Sequence, residues 1–227
     1  MFFLQPIANY TWVLKCHIDI AKVIFLEGCT GGNLDIIARS PLWQHGIDYR
    51  CGTGHGVGFV GGVHEGPQNL RTNNHAVFQP GMTITDEPGV YEEGKIGIRI
   101  ENELVCKEWD TTEYGRFLCF EPITYCPIDT RPVKVELLDD AELTWLNNFH
   151  ETVYRTLESS LNDREREWLK AACAPLFWKT VKARASRTGR AATMASPFMP
   201  FFRKVMALRP LPPRACRSKS KSRQRFM

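Results

Sequence analysis

Histidines and carboxylates gather on one stretch of this 227-residue chain, between Cys51 and Glu101. His55 sits within Cys51-Gly52-Thr53-Gly54-His55-Gly56-Val57-Gly58, and His64-Glu65-Gly66-Pro67 follows it. Glu87 lies in Thr85-Asp86-Glu87-Pro88-Gly89, and Gly97-Ile98-Arg99-Ile100-Glu101-Asn102 closes the run. Metal-assisted hydrolysis needs neutral imidazole, ionised carboxylates and backbone that approaches closely, and this stretch offers all three. Each residue taken singly has a plainer reading. A lone glutamate is a solvated turn residue, Arg99 with Glu101 is a surface pair, and a loop histidine is a hydrogen-bonded loop residue. Their ordered combination is what favours a site. Gly56-Val57-Gly58-Phe59-Val60-Gly61 also fits G-x-G-x-x-G, but no clear strand leads into it, no helical pattern follows, and Pro67 interrupts soon after.

The elements that must position these residues show in the periodicity. Ile96, Ile98 and Ile100 alternate with Gly97, Arg99 and Glu101, so residues 96–101 read as a strand. Residues 82–87 repeat the pattern, with Met82 and Ile84 opposite Thr83, Thr85 and Glu87, and Pro88-Gly89 turning the chain. Pairing of these two strands would converge Glu87 and Glu101 on one ion, with His55 as nitrogen ligand. Upstream, residues 10–26 read as one amphipathic helix through Trp12, Val13, Cys16, Ile20, Val23 and Ile24. Asn33 is the expected cap of a second helix over residues 34–44, with a kink or break at Pro41. Residues 69–79 read as a polar, irregular loop in which His75 is a surface residue. Downstream, strands are expected over residues 104–106 and 117–124, with Glu121 a strand-end residue rather than a ligand. A long helix starts at Asp139 or Asp140 on a stripe of Leu143, Leu146, Phe149, Val153 and Leu157, and a shorter one covers residues 163–173.

The quoted motifs, together with Val63-His64-Glu65-Gly66-Pro67, closely resemble the Xaa-Pro aminopeptidases (aminopeptidase P) of metallopeptidase family M24. The resemblance covers residues 10–175. Phe120-Glu121-Pro122-Ile123 and Trp145-Leu146-Asn147-Asn148-Phe149-His150 resemble the C-terminal extension of the longer aminopeptidase P enzymes more than prolidase or methionine aminopeptidase. The resemblance implies an α/β (α+β) chain of pita-bread fold, incomplete at its N-terminal edge. By position it makes His55, Glu87 and Glu101 three of five metal ligands, with Glu101 bridging two ions. His64 matches a non-ligand histidine that contacts substrate and the tetrahedral intermediate, and Arg99 an arginine near the bridging carboxylate. The implied activity removes an N-terminal residue preceding proline, using two Mn²⁺ ions and a water they share; Zn²⁺ is the other candidate.

Two departures bear on activity. Cys51 stands where the family usually has histidine. The family's other two ligands are aspartates upstream of all these motifs, whereas residues 1–9 hold no aspartate and Asp19 and Asp35 lie in helical patterns. At most one ion is therefore expected here. The alternatives are a catalytically silent fragment or pseudoenzyme, and a prolidase-like dipeptidase. Expected partners are peptides with a penultimate proline and a second copy of the chain.

Composition agrees with a globular protein: 43% hydrophobic and 24% charged residues. The eight cysteines show no C-x-x-C pair, so reduced thiols and a cytoplasmic location are expected. Neither a signal peptide nor a membrane span is expected. The modest net charge of +4 hides an asymmetry: from Phe177 onward there are 14 Lys or Arg and no Asp or Glu. Residues 176–227 are expected to be a disordered tail able to contact anionic partners, with a candidate interfacial helix over residues 194–208.

Overall fold

The computed structural model describes residues 4–178; the basic tail beyond them, with its candidate helix, lies outside the described residues. Helix α1 (Leu4–Ala21) comes first, then strand β1 (Ile24–Leu26) and helix α2 (Gly31–Trp43). Two short strands, β2 (Gly54–His55) and β3 (Asn69–Leu70), carry the Gly-rich segment. β4 (Thr83–Asp86), β5 (Gly89–Glu92), β6 (Ile96–Arg99), β7 (Asn102–Thr112) and β8 (Gly115–Pro122) follow, and α3 (Asp140–Leu157) and α4 (Asp163–Ala172) end the described fold.

The main sheet is antiparallel in the order β1-β8-β7-β4, while β2-β3 and β5-β6 are separate two-stranded pairs. The expected helix over residues 10–26 stops at Ala21. Ile24, Phe25 and Leu26 instead pair with Cys119, Leu118 and Phe117. Phe25 points inward while Ile24 and Leu26 face out, a period of two that the β-branched run favours once β8 offers an edge. Phe25 then packs with Phe78 and Phe120, with ring centroids 5.2–6.1 Å apart.

Helix α2 is capped by Thr30, not Asn33. Asn33 is the third helical residue and closes a capping box by returning its side chain to the Thr30 N–H. Pro41 breaks nothing: the helix runs on to Trp43 and ends there. The hairpin β7-β8 is longer than its apolar core suggests, since Lys107, Glu108, Asp110, Thr111 and Thr112 are polar yet paired, with Trp109 at a register shift between Glu108 and Asp110.

Two apolar clusters meet at α1. One joins Val13, Leu14 and Ile18 to Ile98, Ile100 and the α3 stripe; the other joins Ile20 to Ile84, Leu104, Leu118 and the phenylalanines. Each fully buried leucine or isoleucine contributes about 1.5–3 kcal/mol. Asp139 caps α3 in a box with Glu142, whose carboxylate also receives Lys15 Nζ at 2.5 Å, tying α1 to α3. The described cysteines are free thiols; Cys16, Cys106 and Cys173 are buried, and Cys126 is exposed. No described helix is long and apolar enough to cross a membrane.

His150, on the buried face of α3, gives a pH prediction. Its Nε2 accepts the Ile128 N–H at 3.1 Å, so the proton resides on Nδ1, which is buried without a partner. Burial holds the imidazole pKa below its ordinary value. The unfolded chain therefore takes up the proton at higher pH than the folded one. The stabilisation is complete above the unfolded value of about 6.5 and is lost as pH falls toward the folded value. Tm is expected to drop on acidification below that point, and His150→Gln, whose amide oxygen still accepts from Ile128, should flatten the slope. An unchanged slope in the variant would assign the effect to other groups.

Candidate metal centre

The segment leading to His55 is held from α2. Buried Arg39 donates to Asp35 at 2.8 Å, to Asp48 at 2.9 Å and to the carbonyls of Tyr49 and Cys51 at 2.7 and 2.8 Å. Thr53 donates its hydroxyl to Asp35 and meets the Tyr49 hydroxyl. Thr53 also receives the Glu87 N–H on its carbonyl at 2.7 Å. A Cβ on Gly54 would lie 1.7 Å from the Thr85 carbonyl oxygen, so only glycine permits β2 to approach β4 here.

That approach assembles the donors. The His55 N–H donates to Thr85 Oγ1 at 2.9 Å, and Thr85 Oγ1 donates to Glu87 Oε1 at 3.0 Å. His55 Nδ1 lies 3.0 Å from the Gly56 carbonyl oxygen, which can only accept, so Nδ1 carries the proton. His55 Nε2 then presents a lone pair 2.9 Å from Glu87 Oε1. Two acceptors facing one another at that range require a cation between them, a second proton or a metal ion.

The other expected residues surround this pair. Arg99 on β6 reaches Glu87 Oε2 at 2.5 Å, donates from Nε to the Tyr91 hydroxyl oxygen at 2.7 Å and stands 3.9 Å from Glu101 Oε2. His64 lies against His55 with ring centroids 4.1 Å apart. Both histidines open onto a polar cavity of about 600 Å³, further lined by Glu65, Gln68, Arg71 and Asn73. Cys51 is half-buried, its Sγ 4.0 Å from the Gly89 carbonyl. Glu121 is paired with Lys107 at 2.5 Å.

The route of convergence differs from expectation. The strands ending in Glu87 and Glu101 do not pair with each other. β4 pairs with β7, placing Asp86 opposite Asn102, while β6 pairs with β5. Glu87 and Glu101 approach because the chain turns at Pro88 and the β5-β6 hairpin doubles back. Arg99 then sits between them.

The donors fit part of a divalent shell. Two ligands bound at about 2.1 Å and at right angles to each other stand about 3 Å apart, which is the His55–Glu87 separation. Glu101 joins only if Arg99 yields, and no group of three donors stands close enough to hold an ion among the described residues.

Sequence reasoning missed two participants. Glu103 pairs with Thr85 in the strand register, has Oε1 buried without a partner, and is pushed above the usual carboxylate range by burial. Its even spacing from Glu101 was the available signal. Asp86 lies within a quoted motif but received no role. Burial pushes its carboxyl up to about 6, held from rising further by His17.

The chain is 46% identical to Aminopeptidase P1 of Lotus japonicus over 174 residues, which is 74% of this chain and 26% of that protein. It is 42% identical to Aminopeptidase P1 of Arabidopsis thaliana over 173 residues, 74% of this chain and 27% of the relative. An X-prolyl aminopeptidase from Caenorhabditis elegans, described as a cytosolic enzyme with a di-nuclear active site, superposes with a TM-score of 0.70 at 37% identity. That match covers 76% of this chain and 29% of that structure. The chain thus spans between a quarter and a third of the length of these relatives. Residues 2–108 match metallopeptidase family M24 and residues 116–176 match the C-terminal region of peptidase M24, so the chain belongs to metallopeptidase family M24.

Proposed function

We propose that this chain contributes His55, Glu87 and Glu101 to the metal centre of an Xaa-Pro aminopeptidase, cytosolic like its nematode relative and using Mn²⁺. The single observation carrying this reading is His55 Nε2 facing the Glu87 carboxylate at 2.9 Å. A bound divalent ion supplies Lewis acidity, activating water near neutral pH and polarising a carbonyl. The protein's own groups supply the rest. The Gly56 carbonyl fixes the His55 tautomer. His64, at the cavity wall, donates to the scissile carbonyl oxygen as negative charge develops on it. Arg99 pairs with Glu87 Oε2 and orients its carboxylate.

The 227-residue chain is expected to retain at most one Mn²⁺ after dialysis and to show no measurable cleavage of Xaa-Pro peptides. Joining the aspartate-bearing strands of an aminopeptidase P relative ahead of Tyr10 should produce Mn²⁺-dependent cleavage. In that fusion His64→Ala should lower kcat with metal retained. A folded, metal-loaded fusion that stays inert overturns the aminopeptidase reading, and two tightly held ions on the chain as it stands overturn the partial-centre reading. The Arg99–Glu87 contact favours a second reading, a catalytically silent chain in which the guanidinium replaces metal. An inert fusion that also excludes Mn²⁺ would support it.

A further inference from the structure

We propose that His17, on the buried face of α1, is a positioning residue for the candidate centre, binding the strand ends beside Glu87 and Glu101 into one unit. The proposal rests on the reading of those glutamates as ligands.

His17 is fully buried. Its Nδ1 lies 3.2 Å from the Asp86 carbonyl oxygen and 3.0 Å from Asp86 Oδ2, and its Nε2 lies 3.2 Å from Asn102 Nδ2. Asp86 immediately precedes Glu87, Asn102 immediately follows Glu101, and the two face each other across β4 and β7. Neighbouring side chains on extended backbone point opposite ways, so the residues turned toward α1 are the ones that aim both glutamates away from it.

Donor accounting fixes the direction of the network. Thr124 Oγ1 accepts the Glu103 N–H at 3.0 Å and spends its own proton on Asn102 Oδ1 at 3.1 Å. The Asn102 amide nitrogen is then the end that faces His17, so Nε2 accepts and Nδ1 carries the proton. That N–H points at the Asp86 carbonyl, leaving the Asp86 carboxylate near the ring but without a well-aligned donor. Trp145 meets the imidazole edge-on at 5.8 Å and limits its rotation. A histidine that only filled space would not commit both ring nitrogens to the two residues flanking the two glutamates. Slippage of β4 against β7 at this end would break both contacts together, so one ring sets the spacing at which Glu87 and Glu101 leave the sheet.

The test compares His17→Leu, His17→Asn and His17→Gln in the 227-residue chain by hydrogen exchange at residues 83–87 and 100–105, Co²⁺ titration and thermal unfolding. Nitrogen-labelled imidazole spectra of the wild type should show His17 in the Nδ1–H form. His17→Leu should lose protection in both segments together and weaken Co²⁺ binding by up to about tenfold, the lower end of the loss for direct partners of a ligand, because His17 reaches the glutamates only through their chain neighbours. Asparagine reaches only where Nδ1 stood and glutamine only where Nε2 stood. His17→Asn should therefore recover protection beside Glu87, and His17→Gln beside Glu101. That split is not expected from a loss of packing, and it carries the test if His17→Leu does not fold. Identical behaviour of the two amide variants, or Co²⁺ affinity unmoved by any of the three, overturns the proposal. The protection split between the two amide variants, together with a wild-type chain that binds no Co²⁺, overturns the metal reading instead.

Discussion

Glu87→Ala is expected to remove divalent-ion binding from this chain while leaving it folded. The substitution takes away the carboxylate that faces Nε2 of His55 and receives both Thr85 and Arg99. Losing an outer partner of a ligand costs 10–100-fold in metal affinity, so losing the ligand itself should cost more than about 100-fold. Stability should change little, because the partly exposed Arg99 guanidinium turns to solvent and the Thr85 hydroxyl keeps the His55 N–H. Glu101→Ala should weaken binding less in the chain alone, since Arg99 separates Glu101 from the His55–Glu87 pair. Co²⁺ or Mn²⁺ titration beside a thermal melt decides it. Wild-type affinity in Glu87→Ala would mean that the ion binds elsewhere.

Arg39→Met should have the largest effect on stability. It leaves Asp35 fully buried with no countercharge, together with the carbonyls of Tyr49 and Cys51 that the guanidinium now satisfies. Breaking one side of a buried ion pair costs about 3–5 kcal/mol. For a domain of this size that lowers Tm by roughly 6–20 °C. Arg39→Lys should rescue little, because a single ammonium cannot reproduce a fork that serves four oxygens. Adding Asp35→Leu to Arg39→Met should recover much of the loss by removing the stranded charge. A double variant no more stable than Arg39→Met would show that hydrogen bonds to the 48–53 segment, rather than charge burial, set the cost. The same variants should loosen His55, which that segment delivers to the site.

What could be read from the sequence is what depends on residues close together in the chain. The alternation over residues 82–87 places Thr85 and Glu87 on one face, and the structure bonds them to each other. Asp139 and the stripe through Leu143, Leu146, Phe149 and Val153 announce α3, because a cap and a period of 3.6 are complete within a few turns. Residues 24–26 mark where local reading stopped working. Val-Ile-Phe-Leu fits a helical stripe and a short strand equally well, and the free edge of β8 decided between them.

The candidate site divides along the same line. Its residue types and their order lie in the chain, and the resemblance attached roles to them. Which strand pairs with which was decided by tertiary structure, since every strand can satisfy its backbone against several partners and only the assembled sheet selects one. Burial likewise settled what no spacing encodes: Arg99 stands between the two glutamates, Thr85 links His55 to Glu87, and His17 turns both ring nitrogens to the strands beneath the site. A buried polar atom must find a partner among whatever the fold brings near, and that neighbourhood is built from residues as far apart in the chain as His17 and Asn102.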